Sequence, residues 1–501
     1  MSLRISGLYS GLDTETMISE LMKIERRPLD LMEQRQHTYE LRQELWNEIQ
    51  SRLLSLKGKV DPLAQASAVT PVKATSTDEG VVRVQVADAA LAVTGTYAFE
   101  VYQLATAHRV WSDAKPGWTA TSTGSFTISD GVNTATITVN AGATLADVAR
   151  AINGAVDTTT GNPLRIKATV VDNILYLEHE LTGTGTDRQI SFSGDLTIPA
   201  DLGLTVSSTD GTPKYQAASQ DAYFRINGLP DPADPSKRFS RKSNTGLTDV
   251  IAGLSIDLVK AGAPATATVT VARDVDAAVA TIRAWVDEYN ATLDLINTRL
   301  SEQPVADAAT DTDRKKGLLR GDFLLTRLKG KLREVVSDPV TRSPATATDR
   351  LAAIGITTTA DDFGKSGKLQ IDETRLRAAL ESNPADVAAL FSQSTDVNGD
   401  GKVTSDEQGA AVRLSSLLDS YTTSATRSVN GITVKTGIIP AQLDELQRVI
   451  DDYDRRMEAF QQLLGRKEET LRRQFLAMET ALATLQNQAT YLAQQLASLT
   501  R

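Results

Sequence analysis

Residues 396 to 407 read Asp-Val-Asn-Gly-Asp-Gly-Lys-Val-Thr-Ser-Asp-Glu, the spacing of a twelve-residue EF-hand calcium loop. Asp396, Asn398 and Asp400 put side-chain oxygens at positions 1, 3 and 5. Gly401 stands at position 6, where the chain must turn sharply. Lys402 offers its carbonyl at position 7, and Val403 is the apolar position 8. Thr404 ligates or holds a water at position 9, and Glu407 closes the loop with both carboxylate oxygens. The donors are all oxygen, which suits a hard cation, so one Ca²⁺ ion is the expected ligand. Gln408 departs from the pattern, because an apolar residue usually follows the loop, and no second loop exists to pair with. The expected affinity is therefore weak, with a dissociation constant on the order of 10⁻⁴ to 10⁻³ M. The alternative is an acidic, Gly-rich surface loop.

No other constellation points to chemistry. His37, His108 and His179 are isolated and form no HExxH-like zinc pattern. Gly7-Leu-Tyr-Ser-Gly11 lacks the spacing of a nucleophile elbow and precedes a helix rather than following a strand. Gly364-Lys-Ser366 has Thr359 where a phosphate-binding loop needs its first Gly, so it reads as a turn. The chain has no cysteine, which excludes disulfides, thiolate metal sites and a cysteine nucleophile. Carboxylates are abundant but scattered. The chain is not expected to be an enzyme.

The loop needs helices to hold it. Pro384 to Phe391 reads as one before it, and Ala410 to Tyr421 as one after. The chain has 501 residues, enough for three or four domains, and a net charge of −10 from 53 basic and 63 acidic residues. That balance, with no basic run, argues against nucleic acid. The opening Met1-Ser-Leu-Arg-Ile has no apolar core or cleavage site of a signal peptide. No run of about 18 apolar residues occurs either, so no membrane insertion is expected and any export needs a dedicated apparatus.

Both ends of the chain carry narrow apolar stripes. From Pro440 to Arg501, Leu443, Ile450, Met457, Leu464, Leu471, Met478, Leu485, Leu492 and Leu499 fall one per heptad. A second column, Leu446, Tyr453 and Phe460, lapses at Lys467 and Gln474. It resumes one residue later as Phe475, Leu482, Ala489 and Leu496, so the seam shifts near Lys467. As one helix this stretch would be roughly 90 Å long and would need a partner. At the other end Asp13 caps a helix carrying Met17, Leu21, Ile24 and Leu31, with Pro28 interrupting it. The stripe resumes as Leu41, Leu45, Ile49, Leu53, Leu56, Val60 and Leu63. The arms are expected to bury these stripes against each other or against the arms of neighbouring subunits.

Between Val69 and Asp274 alternation replaces the helical period. Val81–Val86 and Tyr97–Val101 read as strands, and Ser125–Ile128 with Ala135–Val139 as a hairpin. Thr144 caps a helix that turns Leu145, Val148, Ala149 and Ile152 inward. Ile166–Val171 and Ile174–Glu178 form a hairpin around Asp172-Asn173, and Leu229 to Lys242 reads as a loop. Val275 to Leu300 is again helical, with Val279, Ile282, Val286, Tyr289, Leu293 and Ile296 inward.

The segment SGLYSGLDTETMISELMKIERRPL resembles the opening of the flagellar hook-associated protein 2 family, the filament cap proteins. The resemblance lies in Ser10-Gly11-Leu12-Asp13 and Glu25-Arg26-Arg27-Pro28-Leu29, with Tyr9 where the family usually has Gly. It continues through Ile152-Asn153, Asn244 to Gly253, Val286 to Asn290, Leu319 to Asp322, Ile354 to Thr357, Gly367 to Glu373, Asp386 to Phe391, Gln474 to Glu479, and Tyr491-Leu492.

The resemblance implies an α+β multidomain fold. Long terminal helices form a coiled-coil leg, a helical domain is built from both chain halves, and two β-rich domains are inserted. The expected divisions are 1–45 and 441–501 as arms, 46–70 with 274–440 as the helical domain, 71–106 with 215–273 as a β domain, and 107–214 as a second β domain within it. It also implies a secreted structural cap at the distal tip of the bacterial flagellum, delivered by the flagellar export apparatus. There a homo-oligomeric ring would promote folding and insertion of exported flagellin. Other expected partners are hook-associated proteins, an export chaperone at the C-terminal arm, and in some relatives a host surface. The expected assembly interface is Met17, Leu21, Ile24, Leu471, Phe475, Met478, Leu482, Leu485, Leu492 and Leu496. The alternatives are another axial flagellar protein, such as a hook–filament junction protein or a flagellin, and a calcium-binding extracellular adhesin.

Overall fold

The computed structural model describes residues 13–229, 239–342, 346, 348–360, 364–429 and 432–499. Ser10, Gly11 and Leu12 of the opening motif, the GLYSG stretch and residues 230–238 of the expected loop lie outside it. The chain divides into two compact units, one from Thr70 to Ala277 and one from the remaining residues on both sides.

The helical unit begins with a helix from Thr14 to Val60. Asp13 caps it by accepting the Thr16 amide at 3.0 Å. The expected break at Pro28 does not occur, and the helix runs through it. Proline removes one helical hydrogen bond, at a cost of about 3 kcal/mol. Its neighbour Leu29, 1% exposed, packs against Met457 and Leu464 of the C-terminal helix, and that burial offsets the loss. The stripe from Leu41 to Leu63 is buried at every expected position. Val275–Ser301 also buries all six expected residues, and its Trp285 meets Phe391 edge-on at 5.7 Å.

Around the loop, helices Pro384–Ser392 and Ala410–Thr422 form as expected. A two-stranded pair, Thr426–Val429 with Ile432–Lys435, precedes the last helix. Asn430-Gly431 between two alternating runs is its signal in the sequence. The last helix, Ile438–Leu499, is unbroken over 62 residues, Gly465 included.

The β unit holds two hydrophobic cores. The first lies under a five-stranded antiparallel sheet and a two-stranded one. The strand order of the larger sheet is Val72–Ser76, Ala265–Arg273, Gly95–Gln103, Ala222–Ile226, Phe239–Arg241, and the smaller pairs Val82–Val86 with Leu254–Leu258. Phe99, Val101, Phe224, Ile256 and Val269 fill this core. The expected loop Leu229–Lys242 ends early. Phe239–Arg241 pairs with Ala222–Phe224, because the Phe239 ring stacks on Phe224 at 5.7 Å.

The second core lies between a four-stranded sheet, a three-stranded sheet and the helix Leu145–Asn153. That helix has the expected Thr144 cap, reciprocated by Asp147, and buries Leu145, Val148, Ala149 and Ile152. Tyr215–Ala217 pairs with Ala107–Trp111 and so extends this sheet past residue 214. Asp172 and Asn173 take φ of 47° and 61°, the left-handed conformation that a two-residue hairpin turn requires.

Candidate assembly surface and acidic loop

The two terminal helices form an antiparallel hairpin whose register is fixed by polar pairs along its edges. Gln43 meets Gln447 at 2.9 Å, Gln36 meets Asp454 at 2.6 Å, and Thr14 meets Glu479 at 3.2 Å. Between them the seam buries Ile18, Leu29, Leu446, Ile450, Met457 and Leu464, with Tyr39 packed on Tyr453 at 5.8 Å. The lapse at Lys467 has a physical cause. Lys467 forms an ion pair with Glu25 at 2.6 Å, so a charged layer replaces an apolar one in both helices. Arg472 adds a pair with Glu15 at 2.6 Å. Such a layer contributes little energy at half-exposed positions but disfavours slipped registers.

The N-terminal helix carries two apolar stripes one residue apart. Ile18, Met22, Leu29 and Met32 face the C-terminal helix. The expected interface residues Met17, Leu21 and Ile24 form the other stripe and are 43%, 42% and 59% exposed. In the C-terminal helix Leu471, Phe475 and Leu482 are half-buried. Met478 is exposed, and Leu485, Leu492 and Leu496 are 61%, 58% and 63% exposed. Among the described residues the C-terminal helix therefore continues past the level of Thr14, the first residue of the N-terminal helix, as an exposed apolar ridge.

In the acidic loop, Gly401 takes φ +83° at the expected sharp turn. The Asp396 carboxylate folds back to accept the amides of Gly399 and Gly401, both at 2.7 Å. Asn398 accepts the Asp400 amide and Asp400 accepts that of Lys402. Glu407 is 2% exposed and reaches across the loop. Its Oε1 accepts the amides of Val397 and Asn398 at 3.0 and 3.1 Å, and its Oε2 accepts that of Thr404 at 2.8 Å. The Thr404 amide and hydroxyl, followed by the backbone amides of Val397 and Asn398, hold the Glu407 carboxyl below its usual range. The backbone thus makes the left-handed turn at Gly401, and the side-chain donors are oxygens. The carboxylates are nevertheless turned onto backbone amides. Among the described residues no group of three or more His, Asp or Glu side chains is placed to hold a metal.

His108 and His179 stand on paired neighbouring strands of the β unit, and His37 belongs to the helical unit. His37 stands on the N-terminal helix with Asp311 at 2.8 Å and Glu40 at 3.1 Å, and these carboxylates push its pKa up. His108 and His179 are buried in the β unit. Nδ1 of the first accepts the Ile190 amide and Nδ1 of the second the Leu181 amide, both at 3.0 Å. Their surroundings are structural.

The motif asparagines hold the chain to itself, a role that their positions alone did not reveal. Asn153 donates to the Ala168 carbonyl and accepts the Ala168 amide, both at 2.8 Å. Asn244 does the same to Ala105 at 2.8 and 2.7 Å, and Asn290 to Leu369 at 2.8 and 2.7 Å. Each side-chain amide pairs with the backbone N–H and C=O of a single residue, on a strand for Ala168 and Leu369 and between strands for Ala105. No described helix is long and apolar enough to cross a membrane.

Comparison with known proteins agrees with these features. The family models described as flagellar hook-associated protein 2 N-terminus and C-terminus match residues 10–108 and 219–487. The flagellar hook-associated protein 2 of Escherichia coli (strain K12) is 25% identical, with 99% of this chain and 98% of the relative covered. The A-type flagellar hook-associated protein 2 of Pseudomonas aeruginosa is 27% identical over the same shares. The crystal structure of the flagellar cap protein FliD D1-D2-D3 domains from Escherichia coli has the same fold. It superposes with a TM-score of 0.57 at 23% identity, over 80% of this chain and 99% of that one. With a family model spanning more than half its length and matches beginning in one arm and ending in the other, the chain belongs to the flagellar hook-associated protein 2 family.

Proposed function

We propose that this chain caps the distal end of a bacterial flagellar filament as a homo-oligomeric ring that promotes folding and insertion of exported flagellin. The observation that carries this reading is family membership running through both helical arms. The arms supply the docking surfaces: Met17, Leu21 and Ile24 on one helix, and the ridge from Leu471 to Leu496 on the other. The work is shape and reversible helix docking and needs no covalent chemistry. The chain reaches the tip through the flagellar export apparatus, and an export chaperone covers the apolar C-terminal arm until release. Deletion of the gene is expected to abolish swimming and release unpolymerised flagellin into the medium. Normal filaments in the deletion strain overturn the reading.

A second reading concerns residues 396 to 407, supported by the left-handed turn at Gly401 and the all-oxygen donor set. The loop takes one Ca²⁺ ion through Asp396, Asn398, Asp400, the Lys402 carbonyl, Thr404 and Glu407. Because Glu407 must give up the amides that it now accepts, affinity is weak, on the order of 10⁻⁴ to 10⁻³ M. Millimolar calcium is expected to raise the melting temperature of the wild type and leave Glu407→Gln unmoved. No heat on titration and no calcium-dependent shift leave an acidic loop closed by its own carboxylate.

A further inference from the structure

Of the three histidines in the chain, only His37 has a carboxylate at both ring nitrogens. Its Nε2 faces Asp311 at 2.8 Å and its Nδ1 faces Glu40 at 3.1 Å. A neutral imidazole carries one N–H and a lone pair on the other nitrogen. In that form it donates to one carboxylate and turns a lone pair toward the other. Only the imidazolium donates to both. His108 and His179 are set the other way. In each, Nδ1 accepts a backbone amide while Nε2 faces an oxygen, Gln216 Oε1 at 2.9 Å for His108 and the Asp130 carbonyl at 3.1 Å for His179. One neutral tautomer satisfies both contacts there, and a second proton would be set against an amide N–H.

The position of His37 gives its charge a mechanical effect. Asp311 opens a short helix, Asp311–Lys315, in the segment that joins helices Val275–Ser301 and Phe323–Ser337. This strap lies against the N-terminal helix, held by Asp311 on His37 and by Lys315 on Glu44 at 2.5 Å. No residue of that helix between Leu29 and Leu41 is buried. His37 lies in this thinly packed stretch. On one side the helix buries Leu41 to Val60, and on the other it runs along the C-terminal helix and carries Met17, Leu21 and Ile24. We propose that His37 is a proton-operated latch: charged, it ties the N-terminal arm to the strap; neutral, it lets the arm pivot between Leu29 and Leu41.

The charged groups around it favour the closed form. The strap presents Asp311, together with Arg314 on the same Asp311 oxygen at 2.8 Å. Its own helix presents Glu40, and on the C-terminal helix Asp454 binds the neighbouring Gln36 at 2.6 Å. Asp311 first, and then Glu40, hold the His37 pKa above the ordinary 6.5. Because the folded pKa is raised, the latch contributes fully below 6.5 and is lost as pH rises through the raised value. The Lys315–Glu44 and Arg299–Glu48 pairs keep their charges across that window.

The test uses the full chain, isotope-labelled at the histidine Cε1 and titrated by NMR where sedimentation shows single subunits. His37→Gln assigns the signal. The His37 midpoint is expected above 6.5, to fall toward 6.5 in Asp311→Asn, and to fall less in Glu40→Gln. Hydrogen exchange, corrected for the intrinsic effect of pH, reads the arm itself. Protection across residues 30–41 and 311–315 is expected to drop about two- to five-fold from about pH 6 to about pH 9, the scale of a half-exposed ion pair. His37→Gln is expected to abolish that drop. The His37 side chain is 38% exposed, so the variant is expected to fold, and Asp311→Asn supplies the same comparison independently. A midpoint at or below 6.5 overturns the latch. So does wild-type protection that is flat with pH, or that falls equally in His37→Gln. Every readout is taken on the single subunit, so its failure leaves the cap reading standing.

Discussion

Asn153, Asn244 and Asn290 show what a single side chain contributes here. Each satisfies both backbone polar groups of one residue, the N–H and the C=O. Asn153→Asp keeps the shape but sets a carboxylate against the Ala168 carbonyl. It is expected to cost about 1–3 kcal/mol. Hydrogen exchange along Ile166–Val171 should quicken, and unchanged protection would remove the clasp from the account. Acid offers a second test. Backbone and side-chain donors hold Asp147, through Thr144, and Asp157, through the amides of Thr134, Thr160 and Thr159, at a pKa of about 2, against the ordinary 3.8. Their folded pKa is depressed, so their contribution is present above the unfolded value and is lost as pH falls from about 4 toward 2. The β unit is expected to lose stability across that window, and Asp157→Asn to flatten the dependence, as followed by near-ultraviolet circular dichroism.

At the scale of the element, the terminal hairpin combines an apolar seam that gives stability with a charged layer that gives register. Leu29 is 1% exposed against Met457 and Leu464, so Leu29→Ala is expected to cost about 2–5 kcal/mol and to speed exchange in both helices. The Glu25–Lys467 pair behaves differently, being 40% and 47% exposed. Glu25→Lys alone is expected to destabilise the hairpin by less than about 1 kcal/mol, and Glu25→Lys with Lys467→Glu to restore it. If the double variant stays as weak as the single, the layer does not set the register. The same layer explains the seam's lapse at Lys467. A heptad reading sees only a polar intrusion there, because the compensating Glu25 lies on a helix far away in sequence.

At the scale of the whole molecule, the exposed ridge separates assembly from folding. Leu492 is 58% exposed, so Leu492→Asp is expected to leave the subunit's melting unchanged. On assembly the same charge would be buried without a partner, at a cost of several kcal/mol, about 3. Loss of swimming with a normal melting curve is the expected result, the reverse of Leu29→Ala. A Leu492→Asp strain that swims and forms rings would show that the ridge is not a docking surface.

Local pattern was enough to locate the arms, the Asp13 and Thr144 caps, the Asp172-Asn173 turn and the inward faces of Leu41–Leu63 and Val279–Ile296. Those features depend on residues within a few positions of one another, through helical period, capping and turn chemistry. The fold class followed from the same signals together with the family motifs. Tertiary structure decided the rest. Both stripes of the N-terminal helix are apolar, and only packing against the C-terminal helix selects Ile18, Met22 and Leu29 over Met17, Leu21 and Ile24. Pro28 breaks an isolated helix but is carried through a packed one. Phe239 leaves its expected loop because Phe224 is there to stack on. Glu407 sits where a calcium ligand should, yet its oxygens go to the amides that the folded loop brings within reach. In each case the sequence offered two locally acceptable states, and contact with a distant segment removed one of them.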